Sequence, residues 1–387
     1  MTSDPRMAPG VTIFEEMSAL AVAYGAVNLG QGFPDGAGPQ RIREAAARFV
    51  MEGPHHYPRM RGAEPLRQAL ARFYADTQGL AFDWQEEVVV TSGATEALAA
   101  AILAAIVPGD EVILLAPAYD AYAPLVRRAG GVPVEVLLAP PDWQVTADAL
   151  RAALSPRTRA ILVNDPVNPT GRILTACERD AIAGLAADAA LLVIADEVWE
   201  EVRPPADAHV SLAADPRVAA RTIKIGSAGK LFELTGWKVG WALAAAPLAA
   251  RVAATHQFLT FTTPPALQLA VAHGLDAERA WLAANRRSVA AARDHLAGGL
   301  SQMGWAVLPS CATWFLCVDA AASGITLPDR ELCRRLVIDH GVAAIPVSAF
   351  CGSAGAPQGV IRLCHAKSRP TIDTALERLA SALRALA

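Results

Sequence analysis

Leu191–Trp199 reads LLVIADEVW, and this stretch decides the fold. Apolar residues run without alternation and stop at a carboxylate, Asp196. An alternating pattern marks a strand with one face in water, whereas a continuous run marks a strand covered on both faces. Comparable runs are Glu87–Thr91 (EVVVT), Glu111–Ala116 (EVILLA), Val132–Leu138 (VPVEVLL), Ala160–Val163 (AILV), Thr222–Gly226 (TIKIG) and Val239–Leu243 (VGWAL). Alanine-rich helical segments fit between several of them, among them Thr95–Ile106, Ala147–Leu154 and Ala176–Ala187. This alternation predicts an α/β large domain, a mainly parallel seven-stranded sheet sandwiched by helices. From about Leu275 the pattern changes to a long helix (Ala277–Met303), strands near Trp314–Val318 and Gly359–Leu363, and a closing helix Thr371–Leu386. That part predicts a smaller α+β domain, and 387 residues suit two cores better than one.

A formal charge of −4, with 53% hydrophobic and 19% charged residues, gives no general attraction for nucleic acid or an anionic membrane. Ala97–Val107 is too short to span a bilayer, and the run after Trp241 is broken by Pro247 and Arg251. MTSDPRMAPG at the start lacks an apolar export core, and six cysteines without C-x-x-C spacing suit reduced thiols. The expected location is the cytoplasm.

Lysine is scarce. Of 34 basic residues only Lys224, Lys230, Lys238 and Lys367 are lysines, and three of them fall within TIKIGSAGKLFELTGWK. A lysine amine, unlike a guanidinium, forms a Schiff base when held deprotonated. GSAGK is not a P-loop: Lys224 and Leu231 stand where that motif needs Gly and Ser/Thr. A neighbouring cation such as Lys238 helps to depress the Lys230 pKa. VVVTSGATEALAA runs from a strand into a helix, and its small residues Ser92, Gly93 and Thr95 suit either a phosphate at the helix N-terminus or a simple cap. Asp196, at the end of a buried strand, needs a partner; a protonated pyridine nitrogen and an ordinary cap or ion pair both satisfy it.

Taken in order, SxGAT, NPTG, ADE, SAGKxF and TGWKVGW resemble the fold-type I pyridoxal-phosphate enzymes of the class I/II aminotransferases. The similarity is greatest to the kynurenine/glutamine and bacterial methionine aminotransferase branch, from NLGQGFPDG (Asn28–Gly36) through HHYPRMRG to VIRLCHAK. The resemblance implies pyridoxal 5'-phosphate as cofactor, with Lys230 as its Schiff-base lysine and proton carrier. Asp196 would meet the pyridinium nitrogen, Asn168 the ring's 3' oxygen, and Tyr119 would stack on the ring. Gly93, Ala94, Thr95, Ser227 and Lys238 would hold the phosphate, with Tyr57 reaching across from the second subunit of a homodimer. Arg362 would grip the substrate carboxylate with its planar fork, aided by Asn168, with Gly32 and Phe33 at the substrate. No metal is expected; His55, His56 and His365 lack ligand spacing. The Asn168–Pro169 bond is a candidate cis peptide. The expected division is residues 41–274 for the large domain, and 1–40 with 275–387 for the small one.

The resemblance breaks at Trp199. Relatives usually carry Tyr three residues after the pyridine-binding Asp, where its hydroxyl donates to the 3' oxygen. Two consequences stay open: a raised pKa of the lysine–cofactor imine with slower or redirected chemistry, or wall packing with Asn168 serving the oxygen alone.

The expected reaction is ping-pong transamination between an amino acid and a 2-oxo acid. Phe14, Phe33, Phe261 and Trp314 are candidates for an apolar side-chain pocket, suiting methionine, aromatic residues or glutamine. Arg59 and Arg61 are candidates for an acidic side chain. A C–S β-lyase acting on cystathionine or cysteine conjugates is the nearest alternative. A pyridoxal-phosphate-binding regulator would need a DNA-binding element for which the chain leaves little room, and the joint presence of Lys230, Asp196, Asn168 and Arg362 opposes an interaction protein without catalysis.

Overall fold

The computed structural model describes residues 12–204, 206, 208–352 and 354–387. The N-terminal MTSDPRMAPG stretch, and with it the start of the expected small-domain segment, lies outside the described residues.

The chain opens with the helix Ile13–Ala23 and a short strand, β1 (Val27–Asn28). Seven strands follow: β2 (Val88–Thr91), β3 (Glu111–Ala116), β4 (Val132–Leu137), β5 (Thr158–Asn164), β6 (Leu192–Asp196), β7 (Thr222–Ser227) and β8 (Gly240–Leu243). They form one sheet in the order β2-β8-β7-β6-β5-β3-β4, parallel except where β8 pairs with its two neighbours. The continuous apolar runs are explained: β2, β7 and β8 are buried along their whole length. β4, at one edge of the sheet, is the most exposed strand, which fits its interrupting Pro133 and Glu135.

Five further strands are β9 (Ala306–Val307), β10 (Phe315–Asp319), β11 (Val342–Ala343), β12 (Ile345–Pro346) and β13 (Val360–Cys364). β12-β13-β10-β9 make a four-stranded antiparallel sheet, and β11 pairs with β1 near the N-terminus. Met17, Ala21 and Leu29 join Leu296, Leu316, Ile361 and Leu379 in one core, so N-terminal and C-terminal segments share their packing. The long helix runs Arg279–Met303, after a separate helix Pro265–Ala277 and a break at Glu278. It touches both parts: Leu282 and Val289 lie in cores of the large sheet, Leu296 and Leu300 in the second core. One helix thus bridges the two cores.

Register positions the chemistry. Asn164 pairs with Asp196 across β5 and β6, Asp196 lies opposite Ile225, Ser227 opposite Gly240, and Gly240 opposite Thr91. The C-terminal ends of the parallel strands thus bring these residues to one edge, where open α/β sheets bind ligands.

Candidate active site

A cavity of about 480 Å³ opens at that edge. Its lining includes Gly93, Ala94, Thr95, Tyr119, Asn168, Asp196, Ser227, Lys230, Lys238, Gly32 and Arg362. Residues far apart in sequence thus share one space.

Lys230 sits on the one-turn helix Ala228–Leu231 that β7 runs into. Burial, with Arg362 and Lys238 nearby, brings its amine down to about 8, against the opposing pull of Cys364 and Asp196. Asp196 is buried at the end of β6, and burial raises its carboxyl to about 6. Its partners are the Tyr122 hydroxyl, which donates to Oδ2 at 2.5 Å, and the Val198 amide at 3.3 Å. Nothing in the sequence reading singles out Tyr122 as this partner. The available signal is the spacing in Pro117–Tyr122 (PAYDAY), where Tyr119 and Tyr122 stand three apart at a helix start and pack edge-to-face at 5.5 Å.

The helix Gly93–Ala105 begins without a side-chain cap, leaving its first amides to the cavity. A Cβ on Gly240 would stand 2.5 Å from the Ala94 nitrogen, and one on Gly93, whose φ is +78°, would stand 3.2 Å from Lys238 Nζ. Glycine at both positions keeps an anion-sized cradle open between helix amides and an ammonium. Together with the Asp196 carboxylate and the Lys230 amine, this donor set fits pyridoxal phosphate.

Arg362 comes from β13, on the second sheet. Nη1 donates to Asn168 Oδ1 at 2.9 Å and Nη2 to the Gly30 carbonyl at 2.6 Å. The guanidinium lies over the rings of Phe315, Phe350 and Phe14, at 3.9, 5.1 and 5.3 Å from their centroids. Burial lowers its pKa to about 10, so it stays cationic at neutral pH. Asn168 is set by Asn164, whose Oδ1 accepts from the Asn168 amide at 2.8 Å and whose Nδ2 donates to the Asp196 carbonyl at 2.8 Å. The Asn168–Pro169 peptide is cis.

Other candidates stand apart. Gly32 lines the cavity, and a Cβ there would stand 2.5 Å from the Phe315 ring, but Phe33 lies elsewhere. Phe33 is 46% exposed in a separate groove, with Lys367 donating to its carbonyl at 2.9 Å and lying 4.3 Å from its ring centroid. Phe14 lines the cavity. Phe261 is exposed against Tyr57, 5.5 Å between centroids, and neither reaches this chain's cavity. Arg61 pairs with Glu86 at 3.6 Å, outside the cavity. Trp314 is fully buried, yet its ring lies 4.8 Å from Lys230 Nζ, opposite Trp199 at 4.6 Å.

Behind the cavity, Glu197, Glu200 and His209 converge closely enough to suggest a metal site. Lys224 occupies that position instead: its amine contacts Glu197 and lies 2.7 Å from Glu200. His209 lies 2.8 Å from Glu197, and the Tyr74 hydroxyl and Gln78 amide donate to Glu200 at 2.5 and 2.7 Å.

Residues 24–379 match the family described as aminotransferase class I and II. The chain is 46% identical over 95% of its length, and 95% of the relative's, to a probable N-succinyldiaminopimelate aminotransferase of Mycobacterium tuberculosis. It is 40% identical to the methionine aminotransferase of Escherichia coli, over 96% of this chain and 95% of that one. Kynurenine–oxoglutarate transaminase 3 of Mus musculus is 33% identical, over 94% of this chain and 86% of that one. The solved N-succinyldiaminopimelate aminotransferase from Mycobacterium tuberculosis superposes with a TM-score of 0.93, covering 96% of this chain and 97% of that one, at 46% identity. The chain thus belongs to the class I and II aminotransferases, fold type I, and is a pyridoxal-phosphate-dependent transaminase.

Proposed function

We propose that the enzyme moves the amino group of an L-amino acid with a neutral side chain, of the apolar, aromatic, methionine or glutamine type, to a 2-oxo acid in a ping-pong cycle. The charge distribution of the cavity carries this reading. Among the described lining residues the cations are Lys230, Lys238 and Arg362. Lys230 is the covalent nucleophile, and Lys238 serves the phosphate with Ser227 and the amides of Gly93, Ala94 and Thr95. Arg362 and Asn168 take the substrate α-carboxylate. Among the described lining residues no cation is left for a second carboxylate, and Asp120 in the wall opposes one. N-succinyldiaminopimelate, the substrate in the Mycobacterium tuberculosis relative's name, carries further carboxylates, so the methionine-type relative is the better guide. Phe14, Tyr119, Trp199 and Phe315 supply apolar wall for a neutral side chain.

When bound, pyridoxal phosphate supplies an aldehyde that condenses with amines and a cationic ring that draws in the electron pair left at Cα. Asp196 Oδ1 and Oδ2 hold the negative charge that keeps the ring nitrogen protonated, and Tyr122 orients that carboxylate. Asn168 Oδ1 is engaged by Arg362, which leaves the amide Nδ2 to donate to the ring oxygen. Tyr119, in the cavity wall, would stack on the cofactor ring. Lys230 Nζ, neutral above about pH 8, would be the base that takes the Cα proton of the substrate and holds it for return.

We place the enzyme in the cytoplasm as a homodimer in which Tyr57 of each chain reaches the other's phosphate. Tyr57 is 83% exposed and Phe258, on the helix Ala246–Leu259, is 86% exposed; aromatic surface of this kind suits a second copy. Among the described residues no helix is long and apolar enough to cross a membrane.

The test is the visible absorbance of the purified enzyme before and after adding methionine, phenylalanine, glutamine or N-succinyldiaminopimelate, beside Lys230→Ala. Colour lost with the neutral amino acids and restored by a 2-oxo acid is expected, with no such colour in Lys230→Ala. Bleaching by the succinylated compound alone would overturn the side-chain assignment. Pyruvate and ammonia released without an acceptor would point to C–S β-elimination.

A further inference from the structure

Two indole faces enclose the Lys230 amine. Nζ lies 4.6 Å from the ring centroid of Trp199 and 4.8 Å from that of Trp314. The rings stand nearly perpendicular, at 82° with centroids 4.9 Å apart. Trp199 comes from the turn after β6, and Trp314 from the residue before β10. Phe315 braces Trp199 edge-on at 5.5 Å, and both indoles are buried. An indole face carries negative electrostatic potential and attracts an ammonium, most strongly where water is excluded.

The charged and titratable neighbours of Lys230 give the pair a role. Arg362 on β13 and Lys238 on the loop before β8 disfavour its ammonium, as does burial. Asp196 on β6 and Cys364 on β13 favour it, but Asp196 is already engaged by Tyr122 and faces the ring nitrogen in the scheme above. Beside these groups, the two indole faces give the amine a further surface that welcomes a positive charge.

We propose that Trp199 and Trp314 form an aromatic cradle that holds Lys230 as an ammonium while its nitrogen is not joined to the cofactor. This rests on reading Lys230 as the Schiff-base lysine. In the proton transfer, the Nζ lone pair forms a new N–H bond as the Cα–H bond breaks, and the C–H electron pair stays with the substrate. The nitrogen is then cationic until it returns the proton to the carbon that is reprotonated. The cradle stabilises that interval, so both tryptophans are positioning residues for the transfer.

The chain has four lysines, so apo-enzyme labelled with 13C at lysine Cε gives four signals, and Lys230→Arg identifies that of Lys230. The Lys230 ε-protons are expected upfield, shifted by the ring currents of two indoles, with a titration midpoint near 8. Trp199→Leu and Trp314→Leu should each lower the midpoint by about one unit and remove part of the upfield shift. Trp199→Phe, which keeps a ring face, should recover most of both. A midpoint that stays or rises in a folded leucine variant with unmoved Lys224 and Lys238 signals overturns the proposal. If the leucine variants do not fold, replacing all eight tryptophans by fluorotryptophan weakens the ring faces with little change of shape. Lys230 is the lysine that faces tryptophan among the described contacts, so an unchanged midpoint there again overturns it. Measured without cofactor, this failure leaves the Schiff-base assignment standing; that assignment fails instead if Lys230→Ala regains the wild-type colour on reconstitution.

Discussion

The Asp196 carboxylate accepts hydrogen bonds from the Tyr122 hydroxyl and the Val198 amide, yet burial still lifts its pKa to about 6. The group is charged above about 6, and only the charged form supports a protonated ring nitrogen. Retention of pyridoxal phosphate by the apo-enzyme should therefore weaken as pH falls through about 6, approaching tenfold per unit. Asp196→Asn should bind more weakly at neutral pH and lose that dependence. Equilibrium dialysis across the range checks both; a slope that survives in Asp196→Asn assigns the titration to another group. The need of Asp196 for a partner was visible in LLVIADEVW, because a carboxylate ending a buried apolar run has to be compensated. That the partner within the protein is a phenol three residues after Tyr119 was not, since the contact joins positions 74 residues apart.

At the scale of elements, the turn after β6 has two working faces. Asp196 and Trp199 look into the cavity, while Glu197 and Glu200 turn behind it onto Lys224 of β7. Burial opposes charge on Glu197, but Lys224 and His209 outweigh it and hold the carboxyl well below its usual range. Replacing Lys224 by Met would leave two carboxylates buried without their ammonium, a change that costs about 3–5 kcal/mol. The urea midpoint of Lys224→Met should fall accordingly, and adding Glu200→Gln should restore part of it because the two sites are in contact. A single variant as stable as the parent would show that the network contributes little. The clustering of lysines drew attention to Lys224 in the sequence, but only the pairing of β6 with β7 aligns it with both glutamates.

For the whole molecule, the cavity joins two bodies of packing: Lys230, Asp196 and Lys238 belong to the seven-stranded sheet and its loops, Arg362 to the four-stranded sheet. Tyr57, Phe258 and Phe261 remain exposed on one chain, which is the basis for expecting a second. If the proposed dimer forms through this patch, Phe258→Glu should shift the sedimentation coefficient toward that of a monomer at low protein concentration and, on the role proposed for Tyr57, loosen cofactor retention. An unchanged sedimentation profile would remove this patch from the interface. The sequence by itself determined the strands of the large sheet, the lysine at the exit of β7 and the carboxylate at the end of β6, because hydrophobic runs and their punctuation are encoded by chain neighbours. It placed Phe33 with the substrate, whereas Lys367, from the far end of the chain, holds it in another groove. Only the tertiary structure joined Tyr122 to Asp196, Lys224 to the two glutamates, and Trp314 to Trp199 around Lys230. Such contacts depend on strand register and on how two sheets pack together, and neither is written in the spacing of residues along one segment.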